Sequence, residues 1–133
     1  MYIVIVGCGS VGLRLAQDLS LSKDNVVVID KSRDALGKLG ARFNGRTIIG
    51  GALDLNVLQE AGMHSCDATF VLTGNENLNL VIGQVAQKTF KVKKVIIQMH
   101  SFSKEKIFRR EGLIIINRTN LFLDKFKHSI AKK

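Results

Sequence analysis

The sequence predicts an α/β protein with a doubly wound, parallel sheet of six strands and helices on both faces. Short apolar segments alternate with segments of helical period along the chain. The first apolar segment, residues 2–6, carries no charge, as expected of a parallel strand covered on both faces. No proline interrupts any element. Right-handed crossovers keep the strands parallel, so the expected spatial order is 3-2-1-4-5-6, with a ligand crevice at the carboxyl ends of strands one and four.

Length and composition are those of one globular domain. The 133 residues can bury about two-thirds of the surface of the unfolded chain, and 46% of them are hydrophobic. No apolar segment approaches the ~20 residues of a membrane span, and no pattern of a secretory signal precedes the first strand. We expect a soluble protein of a reducing compartment, in which Cys8 and Cys66 are free thiols.

The other strands and helices are predicted from the spacing of apolar residues and from helix-capping residues. Strands are predicted at residues 26–29, 47–49, 69–72, 95–97 and 113–116, and helices at 11–19, 34–40, 55–61, 76–89 and near 103–110. Asp54 is expected to cap the third helix, with Gly62 just past its end. Residues at helical spacing are expected to face the core, and they are Leu15, Ala16, Leu19, Leu36, Leu39, Leu55, Leu58, Ala61, Leu78, Val81, Ile82 and Val85.

The turn after the first strand has the spacing G-x-G-x-x-G, formed by Gly7, Gly9 and Gly12. Between a strand and a helix, the first glycine permits the tight turn, the second lets a pyrophosphate approach the backbone, and the third permits close packing of helix on strand. Free amides and the helix dipole then hold the phosphate oxygens. The spacing alone also occurs in ordinary turns, but its context predicts a dinucleotide site.

Asp30 ends the second strand about twenty residues beyond these glycines. A carboxylate at this position accepts hydrogen bonds from ribose hydroxyls and repels a 2′-phosphate, which favours NAD over NADP. A turn or capping role is the alternative for Asp30. Lys31 and Arg33 are either solvated surface residues or phosphate contacts.

Two further turns face the predicted crevice. Thr73, Gly74 and Asn75 follow the fourth strand, where they either contact a nucleotide or cap the next helix. The small residues of 50–52 follow the third strand and leave room for an adenine, although an ordinary turn would also contain them.

With these motifs in place, the sequence resembles the TrkA N-terminal domain family, also called KTN or RCK N-terminal, of regulatory subunits of potassium transport systems. The resemblance is carried by the segments IVIVGCGSVGLRLAQDL, VVVIDKS, IIGGALDLNVLQEAGM, DATFVLTGNENLNL and FRREGLIIINRT. It implies a Rossmann-like domain over residues 1–119 that binds NAD(H) or ATP/ADP without catalysis. It also implies a homodimer or a ring, gating a potassium channel or transporter from the cytoplasmic face of the membrane.

The resemblance also implies a set of nucleotide contacts. The family usually has an acidic residue where this chain has Gly51, many members have a charged residue at Ser10, and an Arg occupies the position of Gln98. A smaller C-terminal ligand domain, common in the family, does not follow in this sequence. The contacts it places on this chain are Gly7, Cys8, Gly9, Ser10, Val11, Gly12, Asp30, Lys31, Gly51, Ala52, Leu53, Thr73, Gly74 and Asn75.

Residues 120–133 predict an amphipathic helix with Phe122, Phe126 and Ile130 along one side. Packing on its own domain is the default expectation. Docking on a dimer partner and lying on a membrane surface are the alternatives.

Two other function classes compete with nucleotide-dependent gating. An NAD-dependent oxidoreductase needs a substrate domain and a positioned acid or base, and after six strands little chain is left for either. A net charge of +9 suggests a nucleic-acid or redox-responsive binding protein, but the basic residues are scattered and have few aromatic neighbours. We therefore expect no nucleic-acid partner.

Overall fold

A computed structural model describes residues 1–101 and 105–131. All pairings of its six-stranded sheet are parallel, and the spatial order is β3-β2-β1-β4-β5-β6, which confirms the predicted topology. The predicted helix near 103–110 falls partly on residues 103 and 104, and the predicted tail partly on 132 and 133. These four residues lie outside the described part of the chain.

Strands and helices alternate along the chain. The strands are β1 Tyr2–Val6, β2 Asn25–Asp30, β3 Arg46–Ile49, β4 Ala68–Val71, β5 Lys94–Met99 and β6 Ile114–Asn117. The helices are α1 Ser10–Ser20, α2 Arg33–Gly37, α3 Leu55–Glu60, α4 Glu76–Lys88, α5 Glu105–Arg110 and α6 Arg118–Ala131, with short 3₁₀ turns at Gly40–Arg42 and Met63–Ser65.

The sheet separates two apolar cores because side chains alternate along each strand. In β1, Val4 and Val6 face the core beneath α3 and α4, whereas Ile3 and Ile5 face the core beneath α1 and α2. All four are at most 4% exposed. Because β1 is buried on both faces, it lies at the centre of the molecule. The position of the turn that follows it is therefore fixed by the core.

Three helices begin directly after a Ser, Asp or Asn residue, and the side chain of that residue caps the helix. Ser32 accepts a hydrogen bond from the amide of Ala35, and Asp54 accepts one from the amide of Asn56. Asn75 accepts one from the amide of Leu78. Each cap satisfies an amide that has no partner inside its helix.

Two residues expected in the core are exposed. Leu55, the first residue of the short helix α3, is 52% exposed, whereas Leu58 in the same helix is buried. Val81 is 45% exposed because it lies about 160° around the helix from Asn79 and from Gly83, which form the middle of the buried face. The prediction gave too little weight to polar and small residues on that face.

The second helix is also shorter than expected. The sequence predicts a helix over 34–40, but α2 ends at Gly37 and a separate 3₁₀ turn begins at Gly40, whose φ of +59° is left-handed. Leu36 and Leu39 are nevertheless buried, as predicted.

The final helix, α6, does not pack along its own domain. Every residue described from 121 to 131 is exposed, including Phe122 at 56%, Phe126 at 69% and Ile130 at 88%. The default expectation for this helix is therefore wrong, because its apolar side has no partner within the described chain. No helix in residues 1–101 and 105–131 combines the length and hydropathy of a membrane-spanning segment.

Candidate functional site

A pocket of about 350 Å³ opens at the carboxyl edge of the sheet, where the strand order reverses between β1 and β4. Its volume is at the lower end of the range for small-molecule sites, roughly 300–1,000 Å³. Its walls come from the ends of β1, β2 and β4, from the turns that follow these strands and β3, and from the first turns of α2 and α4. The lining residues are Val6, Gly7, Cys8, Gly9, Ile29, Asp30, Lys31, Ala35, Gly50, Ala52, Leu72, Thr73, Gly74, Asn75 and Leu78.

Gly7 and Gly12 shape the turn between β1 and α1, beside the pocket. Gly7 has a left-handed φ of +106°, and a Cβ there would lie 2.7 Å from the carbonyl carbon of Leu72. A Cβ on Gly12 would collide with the carbonyl oxygen of Gly7. The turn therefore packs against both α1 and the end of β4, as the glycine spacing predicts.

Gly9 differs from these two glycines. It precedes the first turn of α1, its φ is an ordinary −78°, and a Cβ there would have no heavy atom within 4 Å. Nothing in the described protein therefore requires glycine at this position. The adjacent amides of Ser10, Val11 and Gly12 have no partner inside the helix, because they belong to its first turn. Open space beside free amides at the positive end of a helix fits a phosphate group.

Asp30 lines the pocket and also holds the glycine turn in place. One carboxylate oxygen accepts a hydrogen bond from the amide of Cys8 at 2.7 Å, and the other accepts one from the amide of Ser32 at 2.8 Å. A carboxylate has about four lone-pair sites, so about two remain for an external donor. The turn role and the ribose role proposed for Asp30 are therefore compatible.

The opposite wall depends on a residue that the sequence reasoning missed. The side chain of Asn79, 2% exposed, accepts a hydrogen bond from the amide of Thr73 at 3.0 Å and one from the Thr73 hydroxyl. Its amide nitrogen donates to the carbonyls of Thr73 and Gln98, each at 3.1 Å. Asn79 thus fixes the turn after β4 to the end of β5. An asparagine on the buried side of α4 is the signal that could have identified it.

The predicted site residues divide into two groups. Gly7, Cys8, Gly9, Asp30, Lys31, Ala52, Thr73, Gly74 and Asn75 line the pocket. Ser10, Val11, Gly12, Gly51 and Leu53 do not line it, although three of them form the first turn of α1. Apolar lining residues such as Ile29 and Leu78 were not predicted as site residues, because at the sequence level they read as core.

Two further observations bear on the chemistry of the pocket. Burial, followed by the nearby Asp30 carboxylate, raises the pKa of the Cys8 thiol, which opposes formation of a thiolate. Among the residues that the structure describes, no group of three His, Cys, Asp or Glu side chains could hold a metal ion. The geometry provides amides for an anion and an acceptor for hydroxyl groups.

Comparison with known proteins identifies close relatives in sequence. The model of the TrkA-N domain matches residues 3–118. The Trk system potassium uptake protein TrkA of Streptomyces coelicolor is 34% identical over 113 residues, which are 85% of this chain and 51% of that protein. The protein of the same name from Halomonas elongata is 29% identical over 118 residues, 86% of this chain and 26% of that protein. The chain spans about half, or less, of the length of these relatives.

Solved structures share the fold across nearly the whole chain. The TrkA-N domain of the inner membrane protein YbaL from Escherichia coli superposes with a TM-score of 0.85 at 20% identity, covering 96% of this chain and 94% of that one. An NAD(P)-binding domain of an exopolyphosphatase-related protein from Archaeoglobus fulgidus has a TM-score of 0.80 at 18% identity, with 98% of each chain covered. The Kef C-terminal domain of Shewanella denitrificans, in its AMP-bound form, has a TM-score of 0.72 at 17% identity, covering 96% of this chain and 80% of that one.

Proposed function

The chain belongs to the TrkA-N domain family, and we propose that it is an adenine-nucleotide-binding regulatory subunit of a potassium transport system. NAD(H), ATP or ADP binds in the pocket between the turns after β1 and β4. The bound nucleotide favours one arrangement of the subunit, and that difference in affinity biases a membrane channel or transporter. No chemical turnover is required.

The observation that carries this proposal is the space beside Gly9. An unfilled position at the start of α1, next to the free first-turn amides, suits a phosphate and has no role in the packing of the protein itself. The remaining acceptor capacity of Asp30 suits the two hydroxyl groups of a ribose without a 2′-phosphate. The residues of this chain therefore fit the group that the family implies.

The proposed partner is a membrane potassium channel or transporter. The curated relatives are named as potassium uptake proteins, and no described helix of this chain could itself cross a membrane. We propose that the protein acts at the cytoplasmic face of the membrane through that partner.

We also propose a homodimer or a higher ring, with α6 at a contact between copies. Ile114 and Ile116 on β6, 42% and 45% exposed, alternate with buried residues and leave one side of the edge strand uncovered. The exposed Phe122 and Phe126 lie on α6, the helix that directly follows β6 in the chain. A second copy would cover both apolar regions, which a monomer leaves in water.

Calorimetric titration with NADH, NAD, NADPH, ATP, ADP and AMP tests the proposal. Measurable affinity is expected for at least one nucleotide without a 2′-phosphate, and NADPH should bind more weakly than NADH because Asp30 repels its extra phosphate. No binding of any of the six would contradict the proposal. Equal affinity for NADH and NADPH would contradict the role of Asp30, and turnover of NADH with a carbonyl substrate would favour the oxidoreductase alternative.

A further inference from the structure

A chain of polar contacts links the turn beside the pocket to the start of α6. It begins at Glu76, the first residue of α4, directly after the pocket-lining Asn75. One oxygen of the Glu76 carboxylate accepts hydrogen bonds from the amides of His100 at 2.9 Å and Ser101 at 2.7 Å. The Glu76 side chain is only 14% exposed. The start of α4 is thus fixed to the segment that follows β5.

The backbone carbonyls of the same two residues, His100 and Ser101, hold the start of α6. The carbonyl of His100 accepts a hydrogen bond from the Thr119 hydroxyl, and the carbonyl of Ser101 accepts one from the Asn117 side chain, each at 3.3 Å. The side-chain oxygen of Asn117, Oδ1, in turn accepts a hydrogen bond from the backbone amide of Asn120 at 3.1 Å. Asn117 is 4% exposed, so its orientation is fixed by the core of the protein.

The geometry suits the transmission of a small movement. The carbonyl of His100 and the amide of Ser101 belong to one planar peptide unit, so a displacement of the Ser101 amide by Glu76 also reorients the His100 carbonyl that Thr119 contacts. Beyond Asn120 the helix is exposed along its whole described length. A helix of 14 residues extends about 21 Å, which converts a small rotation at its base into a larger movement at its end.

We propose that Glu76 is a positioning residue that couples occupancy of the pocket to the orientation of α6. This inference rests on the proposed nucleotide binding. A nucleotide that contacts the 73–75 turn shifts the start of α4, Glu76 transfers that shift to residues 100 and 101, and these move the first turn of α6. Occupancy of the pocket would in this way be reported at the surface proposed for contact between copies.

Amide hydrogen exchange of residues 118–131, with and without saturating ADP and in parallel NADH, tests the coupling. In the natural protein the nucleotide should change exchange in α6 by about fivefold or more, the lower end of typical coupling between sites. Glu76→Ala should abolish that change while nucleotide is still bound by calorimetry. Glu76→Gln should largely retain it, because one carbonyl oxygen can accept both amides. Glu60→Ala, which removes an exposed carboxylate on α3, is the matched control and should behave as the natural protein.

Thr119→Val removes one of the two contacts that join residues 100 and 101 to the start of α6, without removing Glu76. It should also weaken the response of α6, and it decides the question if circular dichroism shows Glu76→Ala to be unfolded. A response that persists in both variants overturns the coupling. Nucleotide binding with no response of α6 in the natural protein overturns it as well, while leaving the proposed function intact. No nucleotide binding at all overturns both proposals.

Discussion

At the residue scale, the glycines of the first turn have different physical reasons to be glycine. Gly7 and Gly12 are required by the protein, since a Cβ at either position meets backbone atoms. Gly9 is not, since a Cβ there meets nothing within 4 Å. Alanine substitution at these positions distinguishes a glycine that the fold requires, where stability falls, from one that the ligand requires, where affinity falls.

Gly12→Ala should destabilise the folded protein. The new methyl group would collide with the carbonyl of Gly7, and α1 would have to move away from β1. We expect a loss of about 1–3 kcal/mol in the free energy of unfolding, the usual cost of overpacking. Urea denaturation followed by circular dichroism measures it, and an unchanged midpoint would show that the turn relaxes freely.

Gly9→Ala should leave stability nearly unchanged and weaken nucleotide binding. The methyl group has room in the free protein but occupies the space assigned to the phosphate. We expect a change in stability within about 0.5 kcal/mol and a loss of at least about tenfold in affinity, equivalent to about 1.4 kcal/mol.

Gly37→Ala is the matched control for Gly9→Ala. A Cβ at Gly37 also meets nothing within 4 Å, but this glycine ends α2 and does not line the pocket. Its affinity for nucleotide should equal that of the natural protein. Equal affinities for all three proteins would exclude the phosphate position beside Gly9.

Cys66 should contribute a pH dependence to stability. Burial is the main cause that raises the pKa of its thiol from 9.0 to about 11. Between these values the unfolded chain loses the proton and the folded protein keeps it, so the free energy of unfolding falls as pH rises through that window. With allowance for solvent screening, we expect a loss of about 1–2 kcal/mol. Urea denaturation at pH 8 and pH 11 should show a smaller loss for Cys66→Ala, and an identical loss would exclude this cause.

At the scale of elements, the helices differ in how they obtain their stability. α4 buries one face against the sheet, including Leu80 and Ile82. α6 has no buried residue in its described length and is attached mainly through polar contacts at its first turn. A helix of this length is marginal without tertiary packing. An apolar partner surface would supply what α6 lacks.

Phe126→Ser should weaken self-association. The substitution removes one phenylalanine from each copy, and each contributes about 1.5–3 kcal/mol when it is buried in the contact, so we expect the dimer dissociation constant to rise by at least about 100-fold. Sedimentation equilibrium measures it. Leu21→Ser, which replaces a leucine 65% exposed just after α1, is the control and should have no effect. A natural protein that is monomeric at every concentration would contradict the proposed contact.

At the scale of the whole molecule, the pocket lies where two halves of the sheet meet. Strands β1, β2 and β3 follow one another towards one edge of the sheet, and β4, β5 and β6 towards the other. The turns after the two central strands, β1 and β4, form opposite walls of the pocket. A ligand there contacts both halves and should stabilise the entire folded state.

A bound nucleotide should therefore raise the melting temperature. At a concentration 100 times its dissociation constant, a ligand that binds only the folded state adds about 2.7 kcal/mol. For a domain of this size that corresponds to an increase on the order of 10 °C. Calorimetry with ADP or NADH measures it, and the increase should be reduced in Gly9→Ala. A nucleotide bound by titration but without effect on melting would indicate binding to the unfolded chain as well.

The sequence alone determined the strand order, the central position of β1 and the pocket. Uniformly apolar strands require cover on both faces, and right-handed crossovers then leave few topologies. The glycine spacing and Asp30 are local signals, so nine of the predicted site residues line the pocket. The family resemblance rests on these same local segments, and it is confirmed.

Only the tertiary structure decided the features that depend on residues far apart in the chain. Asn79 carries no signal for a binding turn until α4 is placed against β5, and Glu76 is an ordinary first-turn carboxylate until His100 and Ser101 are brought to it. Periodicity located the apolar side of α6 but did not show that this side is exposed. The same pattern occurs in a helix that packs on its own domain and in a helix whose apolar side is left uncovered.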